Sequence, residues 1–452
     1  MNSPSTIAEF HAAFEARRPG PGALAAALGG RPEPNDDHRV WIRRLEPEEI
    51  RAHIERLVEV DKTSVPLRGV PFAIKDNIDL AGVPTTAGCP DYAYTPVRSA
   101  TVVERLVAAG AIPVGKTNMD QFATGLVGTR SPYGAVVNAL QPDHVSGGSS
   151  SGSAVAVKLG LVAFALGTDT AGSGRVPAAF NELVGFKPTR GWWSARGVVP
   201  ACRTLDCVSV FTQTVGDART VARVAGGFDE ADPYARRIAL QDFDEEAARI
   251  GFFDPYELPH VDEGYRACYA DFVDRLPGEP IRIDHAPFLE AAALLYDGPW
   301  LAERYAAIGC FLEQHPEAFH PVTRRIIAAG NSLSAVACFR AQYRLAMLKR
   351  EVERAFRRVD VLALPTVPRI YTLGEVEADP FDTNARLGTF TNFVNLLDLC
   401  AVAVPAGRCS AGLPFGVTLT SPAGFDFALL DAAARLLGEV GRGTQDGQGT
   451  GP

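Results

Sequence analysis

Two short turns near the middle of the chain carry the residue types from which a nucleophile site is made. Gly147–Ser153 (GGSSSGS) and Gly172–Gly174 (GSG) bracket the apolar run Ala154–Leu166, so small hydroxyl-bearing residues stand at both ends of a buried element. Glycine lets the backbone approach a ligand closely, and successive backbone N–H groups in such a turn can converge on one developing negative charge. A surface linker has similar composition. It would not lead at once into an apolar run and then into a second Gly/Ser turn flanked by Asp169 and Arg175. A third group belongs with these. Lys75 directly follows the apolar stretch Leu67–Ile74 (LRGVPFAI), which carries an amine to the carboxyl end of a strand, where open α/β sheets place their ligands.

The elements that must position these groups read as alternating helices and strands. Thr6–Arg17 has one apolar helical face, Pro19–Pro34 is expected to break it, and Glu46–Val60 is expected as a polar helix. After the strand ending at Ile74, Ala100–Ala109 reads as helix, Ile112–Gly115 as strand and Asp120–Leu126 as helix. The loop Thr129–Ser146, the serine region and the strand Val162–Leu166 follow, then a helix over Asp217–Ala225. Beyond Gly226 the stretches are longer and more charged: Glu290–Glu313, Val322–Ala329 and the amphipathic helix Ala335–Phe356. The strand Val359–Pro365, a helix over Ala385–Asn395 and the strands Ala401–Pro405 and Phe415–Leu419 close the pattern. This predicts an α/β fold, a large mixed sheet with helices on both faces. The divisions are residues 1–60, an N-terminal helical layer of the same domain; 61–440, the main domain, with 226–340 its helical part; and 441–452, a flexible tail or cut linker.

Composition narrows the partners. The chain has 452 residues, 46% hydrophobic and 21% charged, which suits a globular protein with a large core. Its net charge of -9 includes no Lys/Arg-rich block, which argues against nucleic acid. The N-terminus lacks a secretory pattern and no apolar run is long enough to span a membrane, so a cytoplasmic location is expected. The eight cysteines lie scattered, without CxxC pairs or histidine at ligand spacing; no metal site and no organic cofactor is expected. GTDTAGSGR resembles a phosphate loop but lacks that loop's lysine.

From Pro66 to Pro422 the chain resembles the amidase signature family, most specifically in VPLRGVPFAIKDN, GAIPVGKTNMDQFA, GGSSSGSAVAV and GTDTAGSGRVPAAFNELVGFKPTRG. The resemblance implies the amidase-signature fold and a Ser–Ser–Lys triad. In it Ser173 is the nucleophile, Ser149, after a cis Gly148–Ser149 bond, the bridging serine, and Lys75 the base. A serine attacks poorly unless a base takes its proton, and lysine serves only where burial disfavours its ammonium. The same resemblance places the oxyanion hole on the N–H groups of Thr170, Ala171, Gly172 and Ser173, with Asp169 and Arg175 as a supporting pair. Ala171 departs from the glycine common in relatives.

GSGRVPAAFNELVGFKPTRGWWSARGVVPACRTLDCVSVF and ALLYDGPWLAERYAAI look like the allophanate hydrolase branch. That implies an amidase acting on a small anionic urea-derived amide, bound by Tyr296, Arg304 and backbone near Gly125. If their segment is helical, Tyr296 and Arg304, eight residues apart, fall on a similar face. The branch often carries a further C-terminal domain that works on the product, and this chain stops about where it would begin. The family often forms homodimers. Other readings are an amidase of broader range, the catalytic component of a tRNA-dependent amidotransferase, and a binding protein on an amidase scaffold; an intact Lys75, Ser149 and Ser173 argues against the last.

Overall fold

The computed structural model describes residues 5–17, 21–29, 36–58, 65–243, 248–409 and 412–439. The tail expected over 441–452 lies outside them. Eleven strands form one mixed sheet. In chain order they are β1 (Trp41–Arg44), β2 (Pro71–Lys75), β3 (Ile112–Thr117), β4 (Phe164–Asp169), β5 (Val184–Lys187) and β6 (Cys207–Thr212). The remainder are β7 (Ile250–Phe252), β8 (Ile281–Arg282), β9 (Val361–Pro365), β10 (Leu399–Arg408) and β11 (Pro414–Pro422). Their spatial order is β1-β3-β2-β4-β6-β5-β10-β11-β9-β7-β8. Residues of β2, β3, β4, β5, β6 and β9 are buried one after another, as strands covered on both faces must be.

Two features of the sheet build the site. β2 lies parallel to both β3 and β4, with Ile74 opposite Leu166, so Lys75 and Thr168 leave the sheet at the same carboxyl edge. The rings of Phe72 and Phe164, also paired in register, stack at 5.1 Å and hold that alignment. Next to them β4 runs antiparallel to β6, and β5 pairs with both β6 and β10. Gly185 in β5 faces the back of the second Gly/Ser turn. A Cβ there would sit 2.3 Å from Gly174 O and 2.6 Å from Ala178 Cβ, so the turn can pack on the sheet only over a glycine.

Four local expectations differ from the structure. Within Pro19–Pro34 there is a helix, Pro21–Gly29, because Pro21 opens it at the first position and an Ala/Leu run follows. Asp120–Leu126 is not a helix. It is a single 3₁₀ turn at Gln121–Ala123 with φ of 51° at Phe122 and Ala123. The Asp120 carboxylate collects the N–H groups of Gly128 and Arg130 and folds the segment back on itself. Glu290–Glu313 is two helices, Ala286–Asp297 and Trp300–Gln314, interrupted at Gly298–Pro299. Ala385–Asn395 likewise divides into Asp382–Leu387 and Phe393–Leu396, with a Gly388 turn between. The N-terminal layer also contributes β1, paired antiparallel with β3, and 226–340 contributes the short strands β7 and β8.

Gly185→Ala should therefore act on the turn as well as on the core. Overpacking at such a site costs about 1–3 kcal/mol, and thermal unfolding should show a Tm lowered by roughly 1–3 °C in a chain of this length. The turnover number should fall with it, because the displaced atom is Gly174 O.

Candidate active site

Lys75 is wholly buried at the end of β2, and its Nζ donates to Ser149 Oγ at 2.8 Å and Thr168 Oγ1 at 2.7 Å. Desolvation pulls its amine down to about 7; Asp120, Asp169 and Asp206 oppose that shift and Arg304 reinforces it. Ser149 follows a cis Gly148–Ser149 bond and precedes the helix Ser151–Lys158, and its carbonyl accepts the N–H of Asp120 at 3.1 Å.

The second turn leaves β4 at Asp169 and enters the short helix Val176–Phe180. Asp169 is its hub. The carboxylate meets Arg175 in a two-pronged bond, 2.9 Å at each oxygen, and also accepts the N–H groups of Gly172 (2.8 Å) and Gly174 (3.1 Å). Burial alone would raise Asp169; the Arg175 guanidinium outweighs it and holds the carboxyl below its usual range. Ser173 sits at the apex, 3% exposed. One expectation changes here. The Gly172 N–H, assigned to the oxyanion hole, is taken by Asp169 Oδ1, a charged acceptor already fixed in place.

Sequence reasoning missed the groups that brace this turn. Thr391 donates its hydroxyl to Ala171 O at 2.7 Å and accepts Arg175 on its own carbonyl at 3.1 Å. Asn395 donates to Asp169 O at 2.7 Å. Asp206, pushed upward by burial, accepts the Thr170 hydroxyl and the N–H groups of Ala201 and Cys202. Asp206 stands near a legible motif, but Thr391 and Asn395 lie more than two hundred residues from the atoms they hold, beyond any local signal.

Tyr296 and Arg304 do meet, though not along one helix. They come from the two helices flanking the Gly298–Pro299 break, and the guanidinium carbon lies 5.8 Å from the Tyr296 ring centroid. Arg304 is 3% exposed and donates to Thr124 Oγ1 at 3.1 Å, beside Gly125. Lys75 and Ser149 are thus bonded at the carboxyl edge of β2, Asp169, Ser173 and Arg175 follow the carboxyl end of the neighbouring β4, and Arg304 is within electrostatic reach of Lys75. Among the described residues no group of three or more His, Cys, Asp or Glu is placed to hold a metal, and no helix is long and apolar enough to cross a membrane.

Comparison with known proteins identifies the family. The amidase family profile matches residues 40–430. Over 408 residues the chain is 46% identical to urea amidolyase of Saccharomyces cerevisiae, covering 88% of this chain and 22% of that protein. The chain therefore spans about a fifth of the length of the yeast relatives it matches. It is 37% identical over 408 residues to a glutamyl-tRNA(Gln) amidotransferase component of Natronomonas pharaonis, covering 82% of this chain and 96% of that one. Among solved structures, Kluyveromyces lactis allophanate hydrolase superimposes with a TM-score of 0.91 at 40% identity, over 96% of this chain and 72% of that chain.

The burial of Lys75 has a measurable thermodynamic signature. Its amine titrates at about 7 when folded and at about 10.4 when unfolded, so between those values the unfolded chain binds the extra proton and stability rises with pH. Lys75→Met removes the group. The Tm of the variant relative to wild type should improve steadily as pH is lowered from 10 to 7, while turnover is lost throughout; a Tm difference independent of pH would contradict the shift.

Proposed function

The chain belongs to the amidase signature family, and from that premise we propose that it hydrolyses the terminal amide of allophanate, releasing ammonia and N-carboxycarbamate. The observation that carries this reading is the juxtaposition of a desolvated Lys75–Ser149 pair with a buried cation, Arg304. A neutral amine is a base; a buried guanidinium is a carboxylate receptor.

In this mechanism Lys75 accepts a proton from Ser149 as Ser149 accepts one from Ser173. Ser173 Oγ attacks the terminal carbonyl carbon. The oxyanion is received by N–H groups of Thr170, Ala171 and Ser173, with Asp169 and Arg175 holding the turn rigid so that little reorganisation is needed. Collapse breaks the C–N bond, and the proton returns along Lys75 and Ser149 to the leaving ammonia. Water then enters by the reverse relay and hydrolyses the acyl-Ser173 ester. Arg304 binds the substrate carboxylate, with Tyr296 stacked against the guanidinium and backbone near Gly125 contacting the urea portion. Base, relay and nucleophile are all side chains, so the proposed chemistry calls for no cofactor.

The working form in this proposal is a homodimer. On the helix Ala335–Phe356, Val336, Phe339, Tyr343 and Met347 are 55–67% exposed and follow one another at helical spacing, an apolar stripe suited to a second copy. Sedimentation of the purified chain tests this; a monomer at all concentrations rejects it.

Ammonia release should be strong with allophanate and weak with biuret, malonamate, acetamide and urea. Ser173→Ala should lower kcat by roughly 10⁴ or more, and Arg304→Ala should mainly raise KM for allophanate. Selective turnover of neutral amides would replace this substrate with a broader amidase range; co-purification with further proteins and RNA would favour the amidotransferase reading.

A further inference from the structure

Beside Arg304 lies a second buried guanidinium for which the mechanism above has no use. Arg130 is 1% exposed. Its Nη1 donates to Thr124 O at 3.1 Å and its Nη2 to Pro380 O at 2.7 Å, while its Nε is buried with no hydrogen-bond partner among the described residues. No carboxylate of the described residues stands within ion-pair distance of it. A guanidinium kept dry by two carbonyl oxygens is costly to bury, since carbonyls compensate a full positive charge poorly.

The two guanidinium groups converge on one residue. Arg304 Nη1 bonds the hydroxyl of Thr124, and Arg130 Nη1 bonds its carbonyl. Gly125 follows, with φ of 155°, and a Cβ there would lie 2.7 Å from Asp120 Oδ2 and 3.2 Å from Arg130 Cδ. The Leu126 N–H is held by Asn384 Oδ1 at 2.8 Å. The Thr124–Leu126 backbone is thus pinned between two cations.

Charge balance explains why both would be retained. Asp120, Asp169 and Asp206 all act on Lys75. Asp169 is matched by Arg175, which leaves the fields of Asp120 and Asp206, neither in an ion pair among the described residues, acting on the site around Lys75. Arg304 offsets one of these charges only. Arg130 is needed for the second; without it, a chamber whose lysine is neutral would repel a carboxylate.

We propose that Arg130 is a specificity-determining residue that works with Arg304 to favour an anionic over a neutral amide, through its field and its hold on Thr124. The proposal rests on the reading of the substrate as allophanate. Biuret, in which an uncharged amide replaces the carboxylate, is the matched neutral probe.

The test compares wild type, Arg130→Gln and Arg130→Lys with allophanate and with biuret, biuret serving as competitive inhibitor if its turnover is too slow to follow. Thermal melts accompany each variant. Arg130→Gln keeps a donor for one carbonyl but no charge, and should raise KM for allophanate on the order of tenfold while leaving KM or Ki for biuret within about twofold. Arg130→Lys, which keeps the charge and loses the fork, should retain most of the preference. Equal losses for both compounds, or a lysine variant as impaired as the glutamine one, would mean that Arg130 only braces the loop and would overturn the proposal. A wild-type preference for biuret would overturn the substrate reading itself, and this proposal with it; the two failures are read from different proteins in the same assay.

Discussion

An ammonium ion at the dry end of a sheet strand is expensive, and the site depends on that expense. Lys75 is wholly buried and bonds the hydroxyls of Ser149 and Thr168, and desolvation outweighs three nearby carboxylates to bring its amine to about 7. A lysine at the surface would stay protonated near neutrality and could accept nothing. Burial in turn requires an interior strand: β2 is paired on both edges, with β3 and β4, and every residue along it is buried. The arrangement trades stability for a usable base, as strained or desolvated sites commonly do.

A second constraint follows from the first. In the proposed mechanism the nucleophile must meet the relay at fixed geometry, yet Ser173 sits on a turn with two glycines. Rigidity comes from outside that turn: Asp169 ties its N–H groups to Arg175, Thr391 and Asn395 hold it from the segment before β10, and Asp206 grips Thr170. The Asp206 loop reaches further. Thr204 bonds the Glu303 carboxylate through its N–H at 2.7 Å and its hydroxyl at 2.8 Å, one residue before Arg304. One short loop therefore joins the helix that carries Arg304 to the turn that carries Ser173. In the proposed mechanism this links the placement of substrate charge to the placement of the attacking oxygen.

The candidate residues could be picked out because each sits in a contiguous local pattern. Lys75 ends an apolar strand, and Ser149 and Ser173 stand in Gly/Ser turns beside one. The architecture was legible in class but not in order, since β5 and β6 are short buried runs without alternation, and a central strand of that kind reads like any apolar segment. Errors fell where tertiary contacts overrule local preference. Asp120 folds a helix-like stretch into a turn by collecting two backbone N–H groups, and Gly298–Pro299 breaks a pattern that was otherwise continuous. That break brings Tyr296 and Arg304 together from two helices instead of one. Arg130 carried no sequence signal, because its meaning lies in a buried guanidinium that bonds only carbonyl oxygens, at Thr124 and Pro380, and the second of these is 250 residues away.

The dependence on a neutral Lys75 is tested most directly by the pH profile of kcat/KM for allophanate between pH 5 and 10. The amine works deprotonated, so the rate should rise about tenfold per pH unit below an inflection near 7 and level off above it. An inflection near 10, the ordinary lysine range, or a rate that falls as pH rises through 7, would contradict the assignment of Lys75 as a desolvated base.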